Sequence, residues 1–182
     1  KLLATIKQYA DELYKVDMAY RHFNFYYDRT SKPDEYMTLA GEIEYLYGEE
    51  WMMKLVEQWE GSVSDENWTA TKHPMLSEFY EKYLSPLDEK KDRVFVIVSD
   101  GLRYEVAKEI AEQPKLAATG GDVSTGFVLS LLPSITPVGM AASLPHDILE
   151  FDGTSVLADG AKTDASSRDK VLKSANKDNL AI

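Results

Sequence analysis

Two short stretches carry residue types that could do chemistry together. In Val94-Phe95-Val96-Ile97-Val98-Ser99-Asp100-Gly101, five apolar residues run straight into an acid and a glycine. In Pro133-Ser134-Ile135-Thr136-Pro137-Val138-Gly139, a threonine stands directly before a proline. A carboxylate oxygen suits a hard divalent cation. A threonine hydroxyl is a weak nucleophile until a base or a metal ion activates it. Taken singly, an Asp after a strand is an ordinary turn residue, and Thr-Pro is an ordinary way to begin a helix. At consecutive strand ends of one α/β unit, the pair tips the balance toward a metal-activated hydroxyl beside a helix start that favours phosphate. Two residues cannot complete such a site. His146, Asp147, Asp152, Asp159 and Asp164 lie downstream, but they show no metal-ligand spacing.

The elements that must position this pair follow from the local pattern. The run from Val94 to Val98 is mostly β-branched, unbroken by Gly or Pro, and does not alternate. That suits a central strand of a parallel sheet, buried on both faces. Ligands of open α/β sheets gather at the carboxyl ends of such strands, where Asp100 falls. Gly101 lets the backbone turn away. Residues 102–112 read as a helix with Val106, Ile110 and Ala111 inward, ended by Gln113-Pro114. Gly120-Gly121-Asp122 is a turn, and residues 123–132 hold a second strand around Phe127-Val128-Leu129. Thr136 then serves as N-cap with Pro137 at the first helical position. This leaves the amides of Val138 and Gly139 to face a phosphate. The small Gly139, Ala141 and Ala142 let that helix lie close to the sheet. Further on, Ser155-Val156-Leu157 is a short strand framed by Asp152-Gly153 and Asp159-Gly160, both hairpin material. Residues 167–175 read as a helix, and Asn179-Leu180-Ala181-Ile182 as the beginning of another strand. Only two strong core strands can be counted, so the chain reads as a fragment of a longer protein.

The first half is helical. Ile6, Tyr9, Leu13, Val16, Tyr20, Phe23 and Tyr27 recur at alternating steps of three and four, a seam that packs a long helix on partner helices. Thr30-Ser31-Lys32-Pro33 punctuates the chain. A second helix begins near Pro33-Asp34-Glu35, with Tyr36, Leu39, Ile43, Leu46, Tyr47, Trp51 and Leu55 as its apolar positions. Gly61-Ser62-Val63-Ser64-Asp65 is a loop. Residues 74–84 form a third helix with Phe79, Tyr80 and Tyr83 buried, and His73 stands just before it as a surface or capping residue. The polar, broken stretch 85–92 separates a helical segment, 1–88, from an α/β segment, 92–182. The fold class is therefore α+β overall: a helical segment followed by the first part of a parallel-sheet domain.

Bulk composition narrows the function. The 182 residues carry a formal net charge of −11 and no cysteine. Disulfides and thiolate metal sites are excluded, and a cytoplasmic location is the default. A broad electrostatic grip on nucleic acid by this segment does not fit the charge. The acidity sits mainly in residues 1–91, net −7 against −4 for residues 92–182. No apolar run approaches the length of about 18 residues that spans a membrane. The first residues, Lys1-Leu2-Leu3-Ala4, lead into an amphipathic pattern rather than a signal peptide.

VFVIVSDGLRYE (residues 94–105) and LPSITPVGMAASLPH (residues 132–146) closely resemble the PglZ family of bacterial phage-defence (BREX) systems. The Tyr-rich opening helix also looks like the segment that precedes the PglZ domain in the type A branch. PglZ proteins are similar to the alkaline phosphatase superfamily. The resemblance implies a metal-dependent phosphatase or phosphodiesterase with two divalent ions, zinc in the first instance. It implies Asp100 as a metal ligand and Thr136 as both nucleophile and ligand of the second metal, because P-S-I-T-P resembles the P-T-x-T-x-P pattern of the nucleotide pyrophosphatases. Ser134 stands second to Thr136. The remaining Asp and His ligands of that superfamily would fall beyond Ile182, so the segment alone is expected to bind metal poorly and to be inactive. Implied partners are a phosphate-ester substrate, with a nucleotide or nucleic acid reached through regions outside this chain, and other phage-defence proteins. Two other classes compete with this reading. One is an inactive docking module in which the acidic helices bind defence proteins. The other is a phospho-acceptor receiver domain, which needs an acidic pair after an earlier strand and a Lys after a later one; neither is present.

Overall fold

The computed structural model of the chain describes residues 2–64, 68, 72–89, 93–118 and 120–181. Lys1, Asp65, Lys90, Lys91, Asp92 and Ile182, each part of an expected segment, lie outside the described residues. The chain packs as two compact units that interleave in sequence: Lys1–Thr71 with Leu102–Thr125, and Lys72–Gly101 with Gly126–Ile182. Residues 102–125 thus pack with the amino-terminal helices. Among the described residues, no helix is long and apolar enough to cross a membrane.

In the first unit, α1 runs over residues 2–27 as Leu2–Gln8, a π-helical turn Tyr9–Leu13, and Tyr14–Tyr27. The π-turn corrects the expected seam. Each residue advances less far around a π-turn than around an α-helix, so the buried face shifts by about one position beyond it. Ile6 is buried as expected, but past the turn Tyr14 (6% exposed) and Asp17 are buried instead of Leu13 and Val16, and Val16 is 36% exposed. After the Thr30–Lys32 turn, α2 covers residues 33–60 as Pro33–Tyr45, a second π segment Leu46–Met52, and Met53–Glu60. Pro33 begins it and Asp34 and Glu35 occupy its first turn, where acids face the positive end of the helix dipole. α2 meets α1 through the parallel stack of Tyr47 on Tyr20, with ring centroids 3.6 Å apart. Tyr36, Leu39 and Leu46, three of the apolar positions of this helix, are exposed. α4 (Tyr104–Ala111) packs against α1 and is followed by the short α5 (Pro114–Ala117). Its inward face is also corrected: Ile110 is exposed, whereas Glu105 is buried.

In the second unit, α3 covers residues 76–89 as a 3-10 turn Leu76–Glu78, Phe79, a π segment Tyr80–Leu84, and Ser85–Glu89. The helix therefore continues through Ser85-Pro86, which had read as a break. Tyr80 is buried and Tyr83 is exposed. α6 (Thr136–Ala142) is followed by the meander β1 (Leu149–Phe151), β2 (Val156–Ala158) and β3 (Ala161–Lys162), all antiparallel, and by α7 (Arg168–Ala175). Register pairs Glu150 with Leu157 and Ala158 with Ala161. Asp159 and Gly160, both at positive φ, make the tight second turn, as a two-residue hairpin requires. The core gathers Leu144, Ala158 and Val171, with Leu149, Ala161 and Leu172 against them. Ala141 and Ala142 are fully buried, and α6 lies on β2 and the start of α3.

The expected parallel strands take another form here. Residues 93–99 form no ladder among the described residues, and Phe95 and Ile97 are 81% and 90% exposed. Among the described residues, parallel pairing is limited to one bridge between Met75 and Leu129, where the Leu76 amide donates to the Leu129 carbonyl at 2.7 Å and the Leu129 amide to the Pro74 carbonyl at 2.9 Å. A doubly buried strand needs neighbours along both edges, and the described residues place none beside Val94-Phe95-Val96-Ile97-Val98. Residues 179–181 are likewise not a strand; the Asn179 side chain instead donates to the Tyr80 hydroxyl at 3.0 Å.

Candidate functional site

Asp100 follows the exposed apolar run and stands at a turn completed by Gly101, whose φ of +77° is costly for any residue with a Cβ. Thr136 is the first residue of α6, one position later than an N-cap. Ile135, in extended conformation, takes the N-cap place and makes no side-chain cap bond. The Thr136 hydroxyl is directed elsewhere: Oγ1 donates to Asp100 Oδ2 at 3.3 Å. This is longer than an ordinary O–H···O bond, so it is a loose contact that an incoming group can replace. Both residues are exposed. The structure thus brings together the two side chains that the sequence had singled out from separate stretches.

Other expected members fall differently. The Gly139 amide donates to the Ile135 carbonyl at 3.0 Å, so it is used within α6 and does not face the site. Among the described residues, Ser134 makes no hydrogen bond to Asp100. The downstream acids serve turns. Asp152 accepts from the Thr154 and Ser155 amides, Asp159 from the Asp147 and Ile148 amides, and Asp164 from the Ser166 amide and hydroxyl. These bonds, led by Thr154 N–H, Ile148 N–H and the Ser166 hydroxyl respectively, hold all three carboxyls below the usual aspartate range. His146 Nδ1 lies 2.7 Å from the Leu144 carbonyl, and the His73 ring packs on Phe127. Among the described residues, no three His, Asp, Glu or Cys side chains converge on a common metal position. The carboxylate and hydroxyl oxygens of Asp100 and Thr136 are hard donors of the kind that suits a divalent cation.

The first unit holds a polar network that sequence reasoning missed. Tyr9 and Tyr47 both donate to buried Asp17, the latter at 2.7 Å. Burial first, and then the bond to Asp17, raises both phenols above the ordinary tyrosine value. Arg21 donates to Glu105 Oε1 at 3.1 Å and to Glu109, and His22 Nε2 lies 2.8 Å from Glu109. The Arg21 hydrogen bond holds Glu109 below the usual range. A signal was present: Asp17 lies four residues after Leu13, an acid inside an aromatic seam.

The family model for the BREX system PglZ alkaline phosphatase-like domain matches residues 79–182. The chain is 30% identical over 183 aligned positions to the alkaline phosphatase-like protein PglZ of Bacillus cereus (strain H3081.97), covering 97% of this chain and 21% of that protein. It is 35% identical over 179 positions to the alkaline phosphatase-like protein BrxZ of Escherichia coli O9:H4 (strain HS), covering 92% of this chain and 21% of that one. The chain therefore spans about a fifth of the length of these curated relatives. No solved structure matches it significantly. With the family match covering more than half of its residues, the chain belongs to the PglZ family of BREX alkaline phosphatase-like proteins.

Proposed function

We propose that the longer protein to which this chain corresponds is a metal-dependent phosphoric ester hydrolase of a phage-defence system, with Thr136 as nucleophile and Asp100 as metal ligand. The observation that carries the reading is the 3.3 Å approach of Thr136 Oγ1 to Asp100 Oδ2 at a turn and a helix start. In this reading, Val94-Phe95-Val96-Ile97-Val98 is a core strand of a parallel sheet completed by strands outside this chain. The further Asp and His ligands also come from there, and segment 92–182 contributes the first part of the domain behind the helical segment 1–88.

A bound divalent ion, zinc in the superfamily resemblance, would lower the pKa of the hydroxyl and neutralise charge on the phosphoryl oxygens. This chain supplies the rest of the first step. Thr136, placed at the exposed start of α6, presents Oγ1 to phosphorus while Asp100 orients the hydroxyl. The Oγ1–P bond forms as the ester oxygen departs, and the hydroxyl proton leaves with the alcohol. Water then cleaves the phosphothreonine, returning a proton to Oγ1 and releasing phosphate.

The test is hydrolysis of an aryl phosphodiester and monoester by the full-length protein with added zinc or manganese. Thr136→Ala should lower the rate by about a hundredfold or more while retaining bound metal. Asp100→Ala should lower both metal content and rate. An inert full-length protein, or an equally active Thr136→Ala variant, would refute the assignment.

One observation favours docking as a second reading. Tyr45, Leu46 and Met53 of α2 are exposed among acidic neighbours, a surface suited to another defence protein. Inertness with every metal, combined with loss of phage defence on Leu46→Asp, would select it.

A further inference from the structure

Glu105 is 1% exposed, lies within the family-matched region, and has no role in the phosphoryl-transfer step. A carboxylate at that depth is costly unless it is paired and hydrogen-bonded. Both of its oxygens are engaged: Oε1 accepts from Arg21 Nε at 3.1 Å, and Oε2 from the Val106 amide at 2.7 Å. Val106 N–H is one of the first-turn amides that a helix leaves without a partner of its own, so Glu105 ties off the start of α4. Glu109, one turn further, would repel Glu105. Arg21 donates to both and removes that repulsion. The neighbouring residue completes the anchor. The Tyr104 hydroxyl donates to the Ala10 carbonyl at 3.1 Å, and its ring meets Tyr9 and Tyr14 at centroid distances of 6.2 and 5.6 Å. Arg21, Ala10, Tyr9 and Tyr14 all lie on α1, outside the region matched by the family model.

We propose that Arg21 and Glu105 are positioning residues: α1 anchors the first turn of α4, the element into which the Asp100-Gly101 turn runs after only Leu102 and Arg103. The amino-terminal helix is then an integral support of the phosphatase-like motif rather than a separable appendage. In sequence, only Gly101, Leu102 and Arg103 separate Asp100 from that first turn. The consequence for Asp100 rests on the hydrolase reading above; the anchoring itself does not.

The experiment is hydrogen exchange on the full-length protein, read peptide by peptide, with Arg21→Ala, Arg21→Lys and Glu105→Gln, and with Lys54→Ala, which breaks the exposed Lys54–Glu50 ion pair of α2, as the control. Arg21→Ala should speed exchange in peptides over residues 100–111 by roughly tenfold, with peptides over 149–175 unchanged. Arg21→Lys should restore part of that protection, and Lys54→Ala should leave it intact. Should Arg21→Ala fail to fold, Glu105→Gln, which keeps an acceptor for Arg21, decides: faster local exchange supports the anchor, and unchanged exchange overturns it. On the aryl phosphodiester, Arg21→Ala should lower kcat by about tenfold with KM within about twofold. Lost protection with unchanged kcat would overturn the positioning claim. An inert full-length protein would refute the hydrolase reading and leave the exchange data to judge the anchor.

Discussion

At the scale of single residues, the buried carboxylates of Asp17 and Glu105 each draw a partner from another helix. Asp17 takes two phenol hydroxyls, from Tyr9 eight residues before it and from Tyr47 on the next helix. Tyr47→Phe removes one donor to a charged, nearly buried acceptor and should cost about 1–2 kcal/mol, measured by urea unfolding. A cost indistinguishable from zero would mean that water takes the place of the phenol. At Gly160, φ is +75° in the tight turn between β2 and β3. Gly160→Val should cost about 1–2 kcal/mol, because a β-branched residue there is strained. Gly101 meets the same demand beside the candidate site.

At the scale of elements, the π-turn Tyr9–Leu13 decides which side of α1 is buried. Tyr14→Ala should cost roughly 3 kcal/mol, the scale of deleting a buried aromatic ring. Val16→Ala should cost under about 1 kcal/mol, since Val16 is already partly in water. The reverse order in thermal melts would restore the uninterrupted heptad seam. The hairpins tell the opposite story. Their Asp-Gly turns carry their own geometry, with Asp152 accepting the Thr154 and Ser155 amides, so the meander follows from local chemistry.

At the scale of the whole molecule, titration sets the limits of stability. Glu109, Asp152, Asp159 and Asp164 have depressed pKa values in the fold. Their contribution is present above the ordinary carboxylate range near pH 4 and is lost as pH falls through the depressed values. Tyr9 and Tyr47 are raised, so their contribution is complete below the ordinary tyrosine value near 10 and is lost as pH rises beyond it. Urea midpoints should therefore fall at both ends, with a plateau between roughly pH 5 and 9. In the Tyr9→Phe/Tyr47→Phe double variant the alkaline decline should flatten; an unchanged decline would place its origin elsewhere.

The helical runs, their Pro and acidic starts, the Asp-Gly hairpin and the helix Arg168–Ala175 were legible in the sequence because short-range rules govern them: capping, turn chemistry and periodicity act within a few residues. Asp100 and Thr136 were legible as chemistry-bearing residues, and their 3.3 Å approach is a tertiary fact. The shifted face of α1 was not legible, because a single π-turn leaves the residue pattern intact while rotating all that follows. Nor was burial of Glu105 on an α4 whose Ile110 is exposed, since its charged partner Arg21 arrives from α1, far away in sequence. The run from Val94 to Val98 states the division most clearly. Its composition reads as a strand, but a strand forms only when neighbours supply ladder bonds and cover both faces, and among the described residues none stands beside it.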